Sequence, residues 1–149
     1  MRITDIPGVM HLWKYENIYL SGQPAPGSWE HIKNLGVKTI VNARWDFEAD
    51  FSEQDKIVKE LGINYVNIPV VDVRNGQLIP ENCEKLSQLI KDGEDIYIHC
   101  GTANRIAAWL MTYLPKYKNM DFEKAVEVAQ ENGLSNPGFI GQAEAIANR

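Results

Sequence analysis

Cysteine is scarce in this chain, with Cys83 and Cys100 the two in 149 residues. So few thiols fit a reducing compartment better than a disulfide scaffold. Metal ligands are equally thin. The three histidines, His11, His31 and His99, stand at no helical metal spacing, and two separated cysteines make no zinc pattern, so no metal or cofactor is expected. No Gly-rich loop ends in Lys-Ser or Lys-Thr, which leaves nucleotide binding without support. Long apolar runs are missing too, none approaching the roughly 18 residues of a membrane span. Residues 1–7 lack the charged start and continuous apolar stretch of a signal peptide, and a cytoplasmic location is the expectation. Positive charge is in deficit, 15 Lys and Arg against 20 Asp and Glu for a net charge of -5. That balance argues against nucleic acid and anionic membranes as partners, since both are bound largely through Lys and Arg.

What remains is ample material for a core. Hydrophobic residues make up 44% of the chain, and the seven prolines and eleven glycines are dispersed with no linker, repeat or low-complexity stretch. One domain spanning residues 1–149 is expected. Short strands read over 8–13 and 17–20. Ser28 can cap a helix whose Trp29, Ile32 and Leu35 face the core before Gly36 stops it. A strand over 37–42 follows, then a helix from Ser52 to Gly62, a strand over 63–68, and a helix from Pro80 to about Lys91. Residues 95–99 read as a buried strand. Beyond it Ile106, Trp109, Leu110 and Tyr113 recur at helical spacing until Pro115 closes the run, and amphipathic helices over 122–129 and 139–146 complete the chain. Strands alternating with helices predict an α/β fold, a mainly parallel central sheet flanked by helices on both faces. Ligands of such sheets bind beyond the carboxyl ends of the strands.

The most informative segment lies at one such end. His99, Cys100, Gly101, Thr102, Ala103, Asn104 and Arg105 connect the buried strand to the following helix. Unpaired N–H groups and the dipole of a helix N-terminus favour negative charge on a thiolate and on a bound oxyanion alike. Free thiols ionise near about 8.5, and helix N-termini or a neighbouring Arg bring such groups to roughly 3.5–7.5. Arg105 supplies a permanent planar cation suited to bidentate capture of an oxyanion. Gly101 and Ala103 leave room for close backbone approach, and Thr102 and Asn104 can orient the loop or touch the anion. Together they predict an anion cradle with a nucleophile at its floor.

Four motifs in order carry a resemblance. His99-Cys100 with a short loop and Arg105 resembles the signature of the cysteine-dependent phosphatases, the tyrosine and dual-specificity superfamily. Ser21-Gly22-Gln23-Pro24, then Gly36 through Arg44 with Glu48, then Tyr65 through Val70, resemble a compact bacterial branch of it, also found fused to beta-lactamase-like hydrolase domains. The resemblance implies a phosphotyrosine-phosphatase-like fold and hydrolysis of a phosphomonoester, on a phosphorylated protein or a small molecule, through a phosphocysteine intermediate. It also implies a general acid on a loop about where Asp72 stands, 28 residues before Cys100. Such an acid contributes roughly 10²- to 10⁴-fold. By composition alone Asp72 is equally a turn aspartate beside Asn75-Gly76. Arg74 reads as a solvated loop arginine or a substrate contact. Arg44 and Glu48 fall on the family's Asn-x-Arg and downstream Glu pattern, read as a charge network bracing the Cys100 loop or as direct contacts. His99 reads as a satisfied core histidine, since a thiolate once formed needs no base.

Departures from the pattern keep two rivals open. Four residues separate Cys100 from Arg105 where the phosphatases usually have five, and four suits a rhodanese-like sulfurtransferase carrying a persulfide on Cys100. A loop glycine is replaced by Ala103 or Asn104, and Ile106 stands where a hydroxyl commonly helps the thiolate leave, which suits a catalytically weak phosphate-binding module. Cys83, at helical spacing with Leu86 and Ile90, reads as a core cysteine or as a thiol that protects Cys100 by disulfide formation.

Overall fold

The structure is a computed structural model that describes residues 2–3, 6–9, 11–48, 50–101 and 103–149, without the side chains of residues 2 and 3. In chain order it contains β1 (Arg2–Ile3), β2 (Leu12–Tyr15), β3 (Ile18–Ser21), α1 (Trp29–Lys33), β4 (Thr39–Asn42), α2 (Ser52–Glu60) and β5 (Asn64–Asn67). After these come β6 (Val71–Asp72), β7 (Gln77–Leu78), α3 (Pro80–Gln88), β8 (Ile96–His99), α4 (Asn104–Tyr117), α5 (Phe122–Glu131) and α6 (Gly138–Ala147). Six strands form one sheet in the order β1-β2-β3-β8-β4-β5, parallel from β3 through β5 and antiparallel at β1-β2-β3. A separate small hairpin pairs β6 with β7.

Strand alternation divides the core in two. Ile18, Leu20, Val41, Ile96 and Ile98 pack with residues of α3, α4, α5 and α6, whereas Tyr19, Ile40 and Tyr97 pack with Trp29 and Ile32 of α1 and Val58 of α2. Helices therefore cover both faces, as the α/β reading expects. Gly36 (φ 85°) and Gly62 (φ 80°) stop α1 and α2 in the left-handed conformation that glycine adopts without penalty. The parallel strands end in register on polar residues, with Ser21 and Asn42 flanking His99 and Asn67 beside Asn42. This polar row is the carboxyl edge from which the Cys100 loop departs.

Several local expectations need correction. Ser28 does not cap α1; it ends a 3-10 turn over Pro26–Ser28, and its hydroxyl donates to the Ala25 carbonyl at 2.6 Å. The first long strand begins at Leu12 rather than residue 8, and α3 ends at Gln88 rather than near Lys91. Pro115 does not close α4. It removes one backbone donor, yet Lys118 N–H still reaches the Leu114 carbonyl at 3.0 Å, and the Tyr113 and Tyr117 rings stack at 5.5 Å across the proline. The β6-β7 hairpin is an addition to the expected elements.

Candidate active site

Cys100 sits at the end of β8 with 1% of its surface exposed. Its N–H donates to the Ser21 carbonyl at 3.1 Å, and Ala43 N–H donates to the His99 carbonyl at 2.8 Å, so both neighbouring strands hold the root of the loop. Ala103 closes the loop with φ 73°, the left-handed region that costs a residue with a Cβ about 1–2 kcal/mol. That conformation aims the Ala103 N–H at the Cys100 sulfur, 3.1 Å away. Ala107 N–H donates to the Ala103 carbonyl at the start of α4, and among the described residues the amides of Asn104 and Arg105 have no partner in the preceding turn. Free amides at a helix start are suited to an anion. Gly101 is exposed, and Thr102 lies outside the described residues. The side-chain oxygen of Asn104 accepts from the amides of Ser135 and Asn136 at 3.1 and 3.3 Å, bracing the α5-α6 loop.

Arg105 is held by Glu48. Its Nη1 and Nη2 donate to Oε2 and Oε1 at 2.9 and 2.8 Å, an end-on pair between side chains 23% and 16% exposed. A guanidinium has five N–H donors, so this pairing leaves Nε–H and one N–H on each terminal nitrogen for an oxyanion. The hydrogen bonds to Glu48, with its charge, outweigh burial in keeping Arg105 protonated. Burial alone would raise the Glu48 carboxyl. The Arg105 hydrogen bonds, the Trp45 N–H at 2.7 Å and the charges of Arg105 and Arg44 together outweigh that and hold it below the ordinary carboxylate value.

Behind this pair runs a polar network that reaches the other end of the loop. Arg44 Nε lies 3.8 Å from Glu48, and Arg44 Nη1 donates to Gln23 Oε1 at 3.2 Å. Gln23 Nε2 donates to Gln54 Oε1 at 2.9 Å, while Gln54 Nε2 donates to the Tyr65 hydroxyl at 3.1 Å and to His99 Nε2 at 3.0 Å. Asn42 completes the ring through Tyr65 at 3.0 Å. His99 is fully buried beside Trp29, and burial, with the charge of Arg44, pushes its imidazole down to about 3. It is a neutral core histidine as expected, but only half satisfied: Nδ1 has no hydrogen-bond partner among the described residues. Arg44 and Glu48 thus join the network as bracing groups. Gln23, Gln54, Tyr65 and Trp45 are members that sequence reasoning missed. The Ser21-Gly22-Gln23-Pro24 turn, which had no assigned chemistry, also ties its Gln23 N–H to the Gly101 carbonyl at 3.4 Å.

Asp72 lies on the β6-β7 hairpin, where Arg74 donates to it from its backbone N–H at 3.0 Å, from Nε at 3.1 Å and from Nη2 at 3.1 Å. These side-chain and backbone hydrogen bonds, with the Arg74 charge, hold the carboxyl below its ordinary value. The hairpin is fastened to the Arg105 brace, because Trp45 Nε1 donates to the Val71 carbonyl at 2.7 Å while its own N–H binds Glu48. Cys83 is placed apart from this polar network, in the core between α3 and α4. Its carbonyl accepts from Trp109 Nε1 at 3.1 Å, and burial pushes its thiol up to about 12. A cavity of about 680 Å³ opens at the opposite end of the strands, around Lys38, Asn64 and Ile96; of the groups above, Tyr65 alone is in its lining.

Solved structures share this fold. A DUF442 protein from Shewanella putrefaciens CN-32 superimposes with a TM-score of 0.73 at 22% identity, over 96% of this chain and 95% of its own. PTPMT1 in complex with PI(5)P gives 0.77 at 19% identity, over 93% and 96%. Tk-PTP in its active form gives 0.76 at 14% identity, over 96% and 98%. No family model and no curated protein matches the chain. The likeness establishes the phosphotyrosine-phosphatase-like α/β architecture expected from the motifs.

Proposed function

We propose that the chain is a cysteine-dependent phosphatase, of the tyrosine or dual-specificity-like kind, acting on a phosphomonoester of a protein or small molecule. The observation that carries this reading is the pairing of a floor and a wall: a near-buried sulfur receiving the Ala103 N–H, beside an arginine fork that Glu48 holds with three donors to spare. The Cys100 thiolate attacks phosphorus as the P–O bond to the leaving group breaks. Loop amides and Arg105 carry the charge of the equatorial oxygens. Asp72 gives its proton to the departing oxygen. Water then attacks the phosphocysteine, Asp72 takes the water proton, and sulfur leaves as thiolate. A relative in fold that bears a phosphatase name, a kinase associated phosphatase with a TM-score of 0.72, supports this chemistry over persulfide transfer.

A phosphate-binding module of low turnover is the second reading, favoured by Ile106, which is fully buried and offers no hydroxyl to the leaving sulfur. Hydrolysis of a small aryl phosphate between pH 5 and 8 by the native chain and by Cys100→Ser separates the two. Turnover abolished by the substitution is the expected result. Vanadate binding without turnover in the native chain would select the module, and a persulfide on Cys100 after thiosulfate treatment would select sulfur transfer.

A further inference from the structure

Arg74 is absorbed by none of the roles above. Its side chain is 85% exposed, yet it spends its fork on the carboxylate two residues before it, with Nε on one oxygen and Nη2 on the other. The carboxylate is fastened a third time by the Arg74 N–H, and its backbone is fastened too, since Asn75 and Gly76 donate to the Asp72 carbonyl at 3.3 and 2.8 Å. Five donors from the turn thus fold Asp72 back on its own hairpin, besides the backbone pairing of β6 with β7. A carboxylate held by three N–H groups is an acceptor; it has no proton to give.

We propose that Arg74 is a positioning residue which latches Asp72, so that Asp72 donates a proton only in molecules whose Arg74 has swung off the carboxylate. The proposal rests on Asp72 being the general acid of the reaction. The latch is built to open. An arginine this exposed leaves the carboxylate for water at small cost, whereas the hairpin that carries Asp72 stays anchored by Trp45 at Val71, Asn82 at Pro69 and Gln142 at Leu78 and Gly76. None of those three anchors titrates. Arg74 is the one charged group among the described residues whose charge bears on the Asp72 carboxyl, and the next charges along the Trp45 link, Glu48 and Arg105, are spent on each other. The latch accordingly sets both the direction of the carboxylate and the pH at which it takes a proton.

The test follows the Asp72 carboxyl carbon by NMR titration in the full chain, for the native protein, Arg74→Lys and Arg74→Gln. Alongside it, kcat/KM for an aryl phosphate is measured against pH in the same proteins and in Asp72→Asn. The expected result is an Asp72 titration that moves to higher pH in Arg74→Gln and part of the way in Arg74→Lys, which keeps the charge and loses the fork. The alkaline limb of kcat/KM moves with it. An Asp72 titration unmoved in Arg74→Gln overturns the latch, and needs no turnover to do so. An alkaline limb that Asp72→Asn removes but Arg74→Gln leaves in place also overturns it, with the general-acid reading intact. A profile indifferent to Asp72→Asn overturns both.

Discussion

Removing the carboxylate of Glu48 is the sharpest test of the bracing argument. In Glu48→Ala, Arg105 loses two charge-assisted hydrogen bonds of 2.9 and 2.8 Å, and Trp45 N–H loses its acceptor at 2.7 Å. Breaking a fully buried ion pair costs about 3–5 kcal/mol because the surviving charge is left without compensation. Here the side chains retain 16% and 23% exposure, so water solvates part of the orphaned guanidinium and the cost falls to about 2–3 kcal/mol. For a chain of this length that is roughly 4–12 °C in melting temperature. Glu48→Gln keeps one acceptor and loses less. The pH dependence has a definite sign. Glu48 is held below its ordinary value in the folded protein, so its contribution is fully present above the unfolded carboxylate value of about 4.3 and is lost as pH falls through the folded value. Urea denaturation of the native chain and both variants from pH 7 down to 3 measures it. The gap between native and Glu48→Ala should be constant near neutrality and close at the acid end. A gap below about 0.5 kcal/mol at pH 7, the range of an ordinary surface substitution, or one that widens on acidification, refutes the reasoning.

Two further outcomes follow from the same geometry. Gln54→Leu preserves approximate volume but withdraws the donor to His99 Nε2 and one of the two donors to the Tyr65 hydroxyl; a loss of about 1–3 kcal/mol is expected in denaturant unfolding. Cys83→Ala should cost about 1 kcal/mol of stability and leave both aryl phosphate hydrolysis and its recovery from peroxide unchanged, because the Cys83 thiol is buried and pushed up to about 12. A Cys83–Cys100 disulfide detected by mass after oxidation would contradict that placement.

Much of the architecture was legible because apolar periodicity reports directly on which face is buried. The run of Ile96, Tyr97 and Ile98, and the helical spacing of Ile106, Trp109, Leu110 and Tyr113, mark β8 and α4, and these two elements alone place Cys100 and Arg105 at a strand end and a helix start. Two-residue strands such as β6 and β7 carry too little pattern to be read, though Asn75-Gly76 signalled a turn. The polar ring was illegible for a different reason. Gln23 and Gln54 are 31 residues apart, and Gln54 and His99 are 45 apart; neutral amides have no periodicity, and only folding brings them together. Pro115 misled because a missing donor in a last turn costs little when flanking aromatics continue the stack. Ala103 takes the left-handed conformation that glycine adopts without penalty, and the loop accepts the strain.

The strand order has a bearing on solubility. The nucleophile's strand, β8, lies between β3 and β4, and the margins of the sheet fall to β1, two residues long, and β5, four residues long with exposed Asn64 and Asn67 at its ends. A foreign strand needs a longer and more apolar margin to pair with, so these short polar borders discourage edge-to-edge aggregation. Self-association along the sheet is accordingly disfavoured when the chain is concentrated for binding and kinetic work.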